Sequence, residues 1–145
     1  MKKSSIIIVM AISLIMTFSV SVFAMDMDDN KIHESKVKGY TLVYKLIDMR
    51  ERMKNMDHSM HNMDMNITHH LMVYIKDNNG RNLEKAKVGY MINNPDRTKQ
   101  KKMAMGMGGG FGADINLSQN GSHTIKTKVV AGSVKFTDDF TYKVK

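Results

Sequence analysis

From Ile67 to the end of the chain, short stretches alternate apolar and polar residues, and each alternation stops at a turn signal. A period of two places successive side chains on opposite faces of a pleated strand. In ITHHLMVYIKD, Leu71, Val73 and Ile75 therefore share one face, and His70, Met72 and Tyr74 share the other. Asn79-Gly80 follows as a hairpin signal. EKAKVGYMI then places Ala86, Val88, Tyr90 and Ile92 inward, and Pro95-Asp96 breaks the chain. KKMAMGM and FGADINL are the next two runs, joined by Gly108, Gly109 and Gly110. Asn120-Gly121 turns into SHTIKTKVVA, and VKFTDDFTYKVK closes the sheet. Upstream, KGYTLVYKLID is rich in β-branched and aromatic side chains and reads as one further strand. The expected fold is all-β, an immunoglobulin-like antiparallel β-sandwich of about seven strands. A Met/His-rich loop or short helix, residues 49–66, is inserted after the first of those strands.

The amino terminus has a different pattern. Lys2 and Lys3 precede an apolar run from Ile6 to Phe18, and Val22-Phe23-Ala24 offers small residues for cleavage, so 1–24 reads as a signal peptide. The run is shorter than the ~20 residues a spanning helix needs. The expected product is therefore periplasmic or otherwise exported, soluble, and without a stable membrane span after cleavage. Residues 25–36, MDMDDNKIHESK, lack periodicity and read as a flexible leader. The sandwich domain is expected over 37–145.

Cysteine is absent, which excludes disulfides, Cys-ligated zinc, iron–sulfur centres and thiol nucleophiles. The formal charge of +8 comes mostly from lysines after residue 76. These read chiefly as solvated outer faces of strands, with attraction to an anionic membrane or an acidic protein as the other option. Export makes nucleic acid a poor partner.

Methionine is the unusual residue, at 16 of 145. Between residues 53 and 72 it recurs beside histidine: Met56, His58, Met60, His61, Met63, His69, His70 and Met72. A thioether is a soft, uncharged donor that holds Cu(I) or Ag(I) well and hard cations poorly, and imidazole complements it. Met49, Met53, Met56, Met60 and Met63 also follow a heptad-like spacing, so a short amphipathic packing helix is the competing reading of that segment. Met103, Met105 and Met107 alternate in a second cluster and are expected on one strand face, either converging on an ion or, for Met103 and Met105, entering the core beside Phe111, Ala113 and Ile115. His69 and His70 are consecutive and point to opposite faces, so one pocket can use only one of them. His70 pairs with Met72 at i, i+2. His123, on the parity of Ile125 and Val129, reads as a hydrogen-bonded, semi-buried histidine.

The order D-x-x-G-R-x-L-x-x-A-x-V, a methionine-bearing run, G-F-G-A-x-I-x-L and N-G-S-H-T-I-x-T-x-V resembles the YtkA-like and FixH-like exported β-sandwich domains, over roughly Ile67 to Lys145. The resemblance implies a sandwich in the cell envelope, with several relatives associated with copper handling or oxidase assembly; it transfers no ligands. Separately, DHSMHNMDM is similar to the Met/His runs of periplasmic copper-resistance proteins.

No H-E-x-x-H spacing or nucleophile set is present, so no enzyme is expected. The function expected is a periplasmic Cu(I) or Ag(I) carrier or chaperone that hands its ion to a transporter, oxidase or efflux component. The alternatives are a non-catalytic envelope interaction module whose methionines dock a membrane-protein partner, or a methionine-based oxidation sink.

Overall fold

The structure is a computed structural model that describes residues 30–54 and 66–145. The expected signal peptide, residues 25–29 of the leader, and Met56, His58, Met60, His61 and Met63 lie outside the described residues. The strands are β1 (Lys31–Val37), β2 (Tyr40–Asp48), β3 (His69–Lys76), β4 (Lys87–Asn93), β5 (Lys99–Met103), β6 (Met105–Met107), β7 (Gly110–Ile115), β8 (Gly121–Ala131) and β9 (Val134–Val144). One helical turn, α1 (Arg50–Lys54), follows β2. Two antiparallel sheets, ordered β1-β2-β3-β7-β6 and β5-β4-β8-β9, make a β-sandwich. Among the described residues no helix is long and apolar enough to cross a membrane.

The core follows from the alternation. Leu42, Tyr44 and Leu46 of β2, Leu71, Val73 and Ile75 of β3, Val88, Tyr90 and Ile92 of β4, and Phe111, Ala113 and Ile115 of β7 are all buried in one cluster. Each alternates with a residue turned to the outer face of its sheet, so burial of one parity fixes the register of the other. The Tyr90 hydroxyl, buried in this core, donates to the Phe111 carbonyl at 2.8 Å and ties the two sheets together.

Two expectations about the strands change. There are nine rather than about seven strands among the described residues: the polar stretch 31–36, expected as flexible leader, forms β1, and the methionine run, expected as one strand, forms two. Strand β1 owes little to its own composition. Lys38 and Gly39, at φ 49° and 83°, make a tight two-residue hairpin turn that lays β1 along β2. His33 stacks on Phe140 at 4.3 Å between ring centroids, and the Ser35 hydroxyl donates to Asp138 Oδ2 at 2.7 Å. Long-range partners thus order a sequence with no strand signal. Second, the methionine run breaks at Ala104 and contributes to both sheets, as β5 and β6. The Ala104 N–H donates to the Val88 carbonyl at 2.9 Å at this crossover.

Candidate metal centre

The outer face of the five-stranded sheet carries the residues that alternate with the core. On β3 these are His70, Met72 and Tyr74; on β7 they are Gly110, Gly112 and Asp114. Register sets His70 opposite Asp114 and Met72 opposite Gly112. Gly108 and Gly109, both at positive φ (55° and 78°), form the two-residue turn that folds β6 back along β7. That turn sets Met105 opposite Gly112 from the other side. Met72, Gly112 and Met105 therefore form one row across three strands about 4.8 Å apart, two thioether arms flanking a position with no side chain.

Gly112 is what makes room there. A Cβ built on it would lie 2.4 Å from Met72 Sδ and 2.5 Å from His70 Nε2. Both donor atoms lean over the same bare stretch of backbone. Met72 is buried (5% exposed) although it belongs to the outer face rather than the core cluster. His70 Nδ1 lies 2.6 Å from Asp114 Oδ1. A carboxylate only accepts, so Nδ1 carries the proton and donates, and it is Nε2, over Gly112, whose lone pair a soft ion would take. A carboxylate behind the ring is the usual way a ligating histidine is oriented and made more basic. The arrangement offers one imidazole nitrogen, one adjacent thioether and a second thioether, Met105, 71% exposed and free to swing in. Among the described residues no three His, Asp or Glu side chains gather as a hard cation would require. The donor set is soft.

The other sequence candidates separate. Met107 sits one step along β6, opposite Gly110, on the same outer face as Met105. Met103 does not share a strand face with them. It ends β5, pairs with Gly89 of β4 and belongs to the four-stranded sheet, because the chain changes sheets at Ala104. Neither Met103 nor Met105 enters the core; they are 68% and 71% exposed. His69 turns inward, away from His70, as consecutive residues of a strand must. His123 is fully buried with both ring nitrogens engaged, Nδ1 near Asn94 Oδ1 at 3.1 Å and Nε2 near the Gln119 carbonyl at 2.8 Å. Sequence reasoning missed Gly112 and Asp114. The parity of FGADINL, with 111, 113 and 115 inward, already pointed both outward, but their pairing with His70 and Met72 depends on register.

His69 has a structural role with a measurable signature. The Thr68 hydroxyl accepts the Leu117 N–H at 2.7 Å, and its own proton is left to bond His69 Nδ1, also at 2.7 Å. Burial pushes the His69 pKa down, and the charges of Arg50 and His123 add to this against the opposing pull of Asp48. The unfolded chain, with an ordinary value of about 6.5, therefore binds more protons than the folded one between that value and the depressed one. The neutral ring's contribution to stability is intact above about pH 6.5 and is lost as pH falls through the folded value. Denaturant unfolding of the protein and of His69→Asn at neutral and mildly acidic pH is expected to show a smaller acid loss in the variant; equal losses would show that His69 is not the group responsible.

No protein-family model matches the chain, and no curated protein sequence matches it. Among solved structures, a copper-bound variant of P19 from Campylobacter jejuni matches with a TM-score of 0.55 at 12% identity, covering 79% of this chain and 96% of its own. A DUF4426 family protein from Pseudomonas aeruginosa matches with a TM-score of 0.57 at 11% identity, covering 81% and 96%. At such identities the likeness shows the fold alone.

Proposed function

We propose that this protein is a cell-envelope carrier of Cu(I), or of Ag(I), which takes the ion between Nε2 of His70 and the thioethers of Met72 and Met105. The observation that carries the reading is the approach of Met72 Sδ and His70 Nε2 over Gly112, with the imidazole held from behind by Asp114. Three neutral donors leave the ion's charge uncompensated. Binding is then labile, as transfer to an acceptor requires, and selective for soft monovalent ions. No catalytic step is involved. That a fold neighbour is copper-bound supports the choice of metal. Met107 lies on the same face and, in this reading, takes the ion as it leaves.

Anaerobic Cu(I) titration against a chromophoric competing chelator tests the proposal. Met105→Leu is expected to weaken binding and Met103→Leu to leave it unchanged, since the latter lies on the other sheet. No competition by the unsubstituted protein with even a weak chelator would overturn the carrier reading. It would favour the second one, an envelope interaction module that uses the exposed Met103, Met105 and Met107 as an adaptable apolar edge for a membrane-protein partner.

A further inference from the structure

The outer face of the four-stranded sheet is built of lysines. Lys87 of β4, Lys99 and Lys101 of β5, Lys126 and Lys128 of β8 and Lys135 and Lys143 of β9 are exposed there, each alternating with a residue turned inward. Asp139 joins them opposite Lys126. None of these lysines makes an ion pair among the described residues; the pairs found involve Lys31, Arg50, His70 and Arg81. Between Lys101, Lys126 and Lys128 runs a groove of about 360 Å³ whose apolar floor is Gly89, Met91 and Met103. The other sheet's outer face has no such excess, since Glu34 and Asp114 stand among its basic residues.

We propose that this lysine face docks on an anionic phospholipid surface. Seven like charges spread over four strands, with strands about 4.8 Å apart and same-face neighbours about 7 Å apart along each strand, match a plane of negative headgroups better than one compact acidic motif. Residue type points the same way. Lysine is a compact point charge without the fork that reads a carboxylate pair, and it is depleted from protein–protein interfaces, where arginine is enriched. Lysine stems and the tips of Met91 and Met103 provide apolar matter that can enter the headgroup region while the ammonium groups stay in water. Docking in this way leaves the His70–Met72–Met105 face on the far side of the sandwich, turned from the bilayer and open to an exchange partner. The inference rests on the lysine face and stands whether or not the metal reading does.

Co-sedimentation of the full chain with vesicles tests it, using phosphatidylcholine alone and phosphatidylcholine mixed with phosphatidylglycerol. The difference between the two lipids removes the contribution of the apolar residues near the amino terminus, which every variant shares. Binding is expected to depend on the anionic lipid and to vanish at about 1 M salt, where the screening length is about 3 Å. Each lysine near such a surface changes partition about fivefold, so the triple variant Lys101→Gln/Lys126→Gln/Lys128→Gln should lose about a hundredfold. A charge-matched variant, Lys36→Gln/Lys54→Gln/Lys76→Gln, should keep most of the binding. Equal losses in the two variants would reduce the effect to net charge and overturn a docking face. Capture by polyglutamate without vesicle binding would overturn it in favour of an acidic protein partner.

Discussion

Gly112→Ala is expected to lower Cu(I) affinity by about 10–100-fold, the range seen when support around a ligand is disturbed, and to leave the sandwich folded. The added methyl carbon would fall 2.4 Å from Met72 Sδ and 2.5 Å from His70 Nε2, distances no real Cβ tolerates, so both donors must move. The atoms displaced are the far ends of flexible side chains. The Gly112 backbone does not lie in the left-handed region, so alanine is not strained there. The cost therefore falls on the site and not on the fold. His70→Gln/Met72→Leu removes the donors themselves and should cost more than Gly112→Ala. Asp114→Asn leaves the donors in place but removes the charge that holds the ring, and should fall in the same 10–100-fold range. Competition titrations beside circular dichroism of each variant check the series. Full affinity in Gly112→Ala with an intact fold would remove the row Met72–Gly112–Met105 as the site.

How much of this was readable from the sequence depends on the range of the interaction involved. The parity of β3, β4, β7 and β8 was legible, because burial on one face imposes a period of two that needs no knowledge of the partner strand. His70 and Met72 were legible as a pair for the same reason, and so was the engaged state of His123. Strand β1 was not. KIHESKV has one aliphatic residue on each side of a polar centre, and what orders it is a stack on Phe140 and a hydrogen bond to Asp138, roughly a hundred positions away. The division of Met103 from Met105 and Met107 was invisible too. A strand can change sheets without breaking its alternation, and Ala104 keeps the same parity before and after the crossover. Gly112 was visible as an outward residue, but its importance is a fact of register. It matters because Met72 stands opposite on one side and Met105 on the other.

Leu71→Ala is expected to destabilise the protein by about 2–5 kcal/mol, the cost of removing a buried leucine and leaving a cavity. Leu71 is fully buried, and its neighbours across the sheet, Leu46 on β2 and Ala113 on β7, are themselves core residues. Strand β3 is the middle of its sheet, so no edge is free to collapse into the gap. Such a loss is a large part of the 5–15 kcal/mol that a domain typically has, and a lower urea midpoint with little change in slope is the expected readout. The same strand carries Leu71 inward and His70 and Met72 outward, so stability and metal binding are linked. An ion held only by the folded chain at a hundred times its dissociation constant would restore about 2.7 kcal/mol. Methionines of the unfolded chain compete for Cu(I) and make the real gain smaller, yet it should remain clearly positive in Leu71→Ala and fall to about half or less when Gly112→Ala is added, since a 10–100-fold weaker site at the same ion concentration gives about 0.4–1.4 kcal/mol. Equal Cu(I) stabilisation in both backgrounds would place the ion elsewhere in the chain, while the fall in midpoint from Leu71→Ala alone would still report on the core.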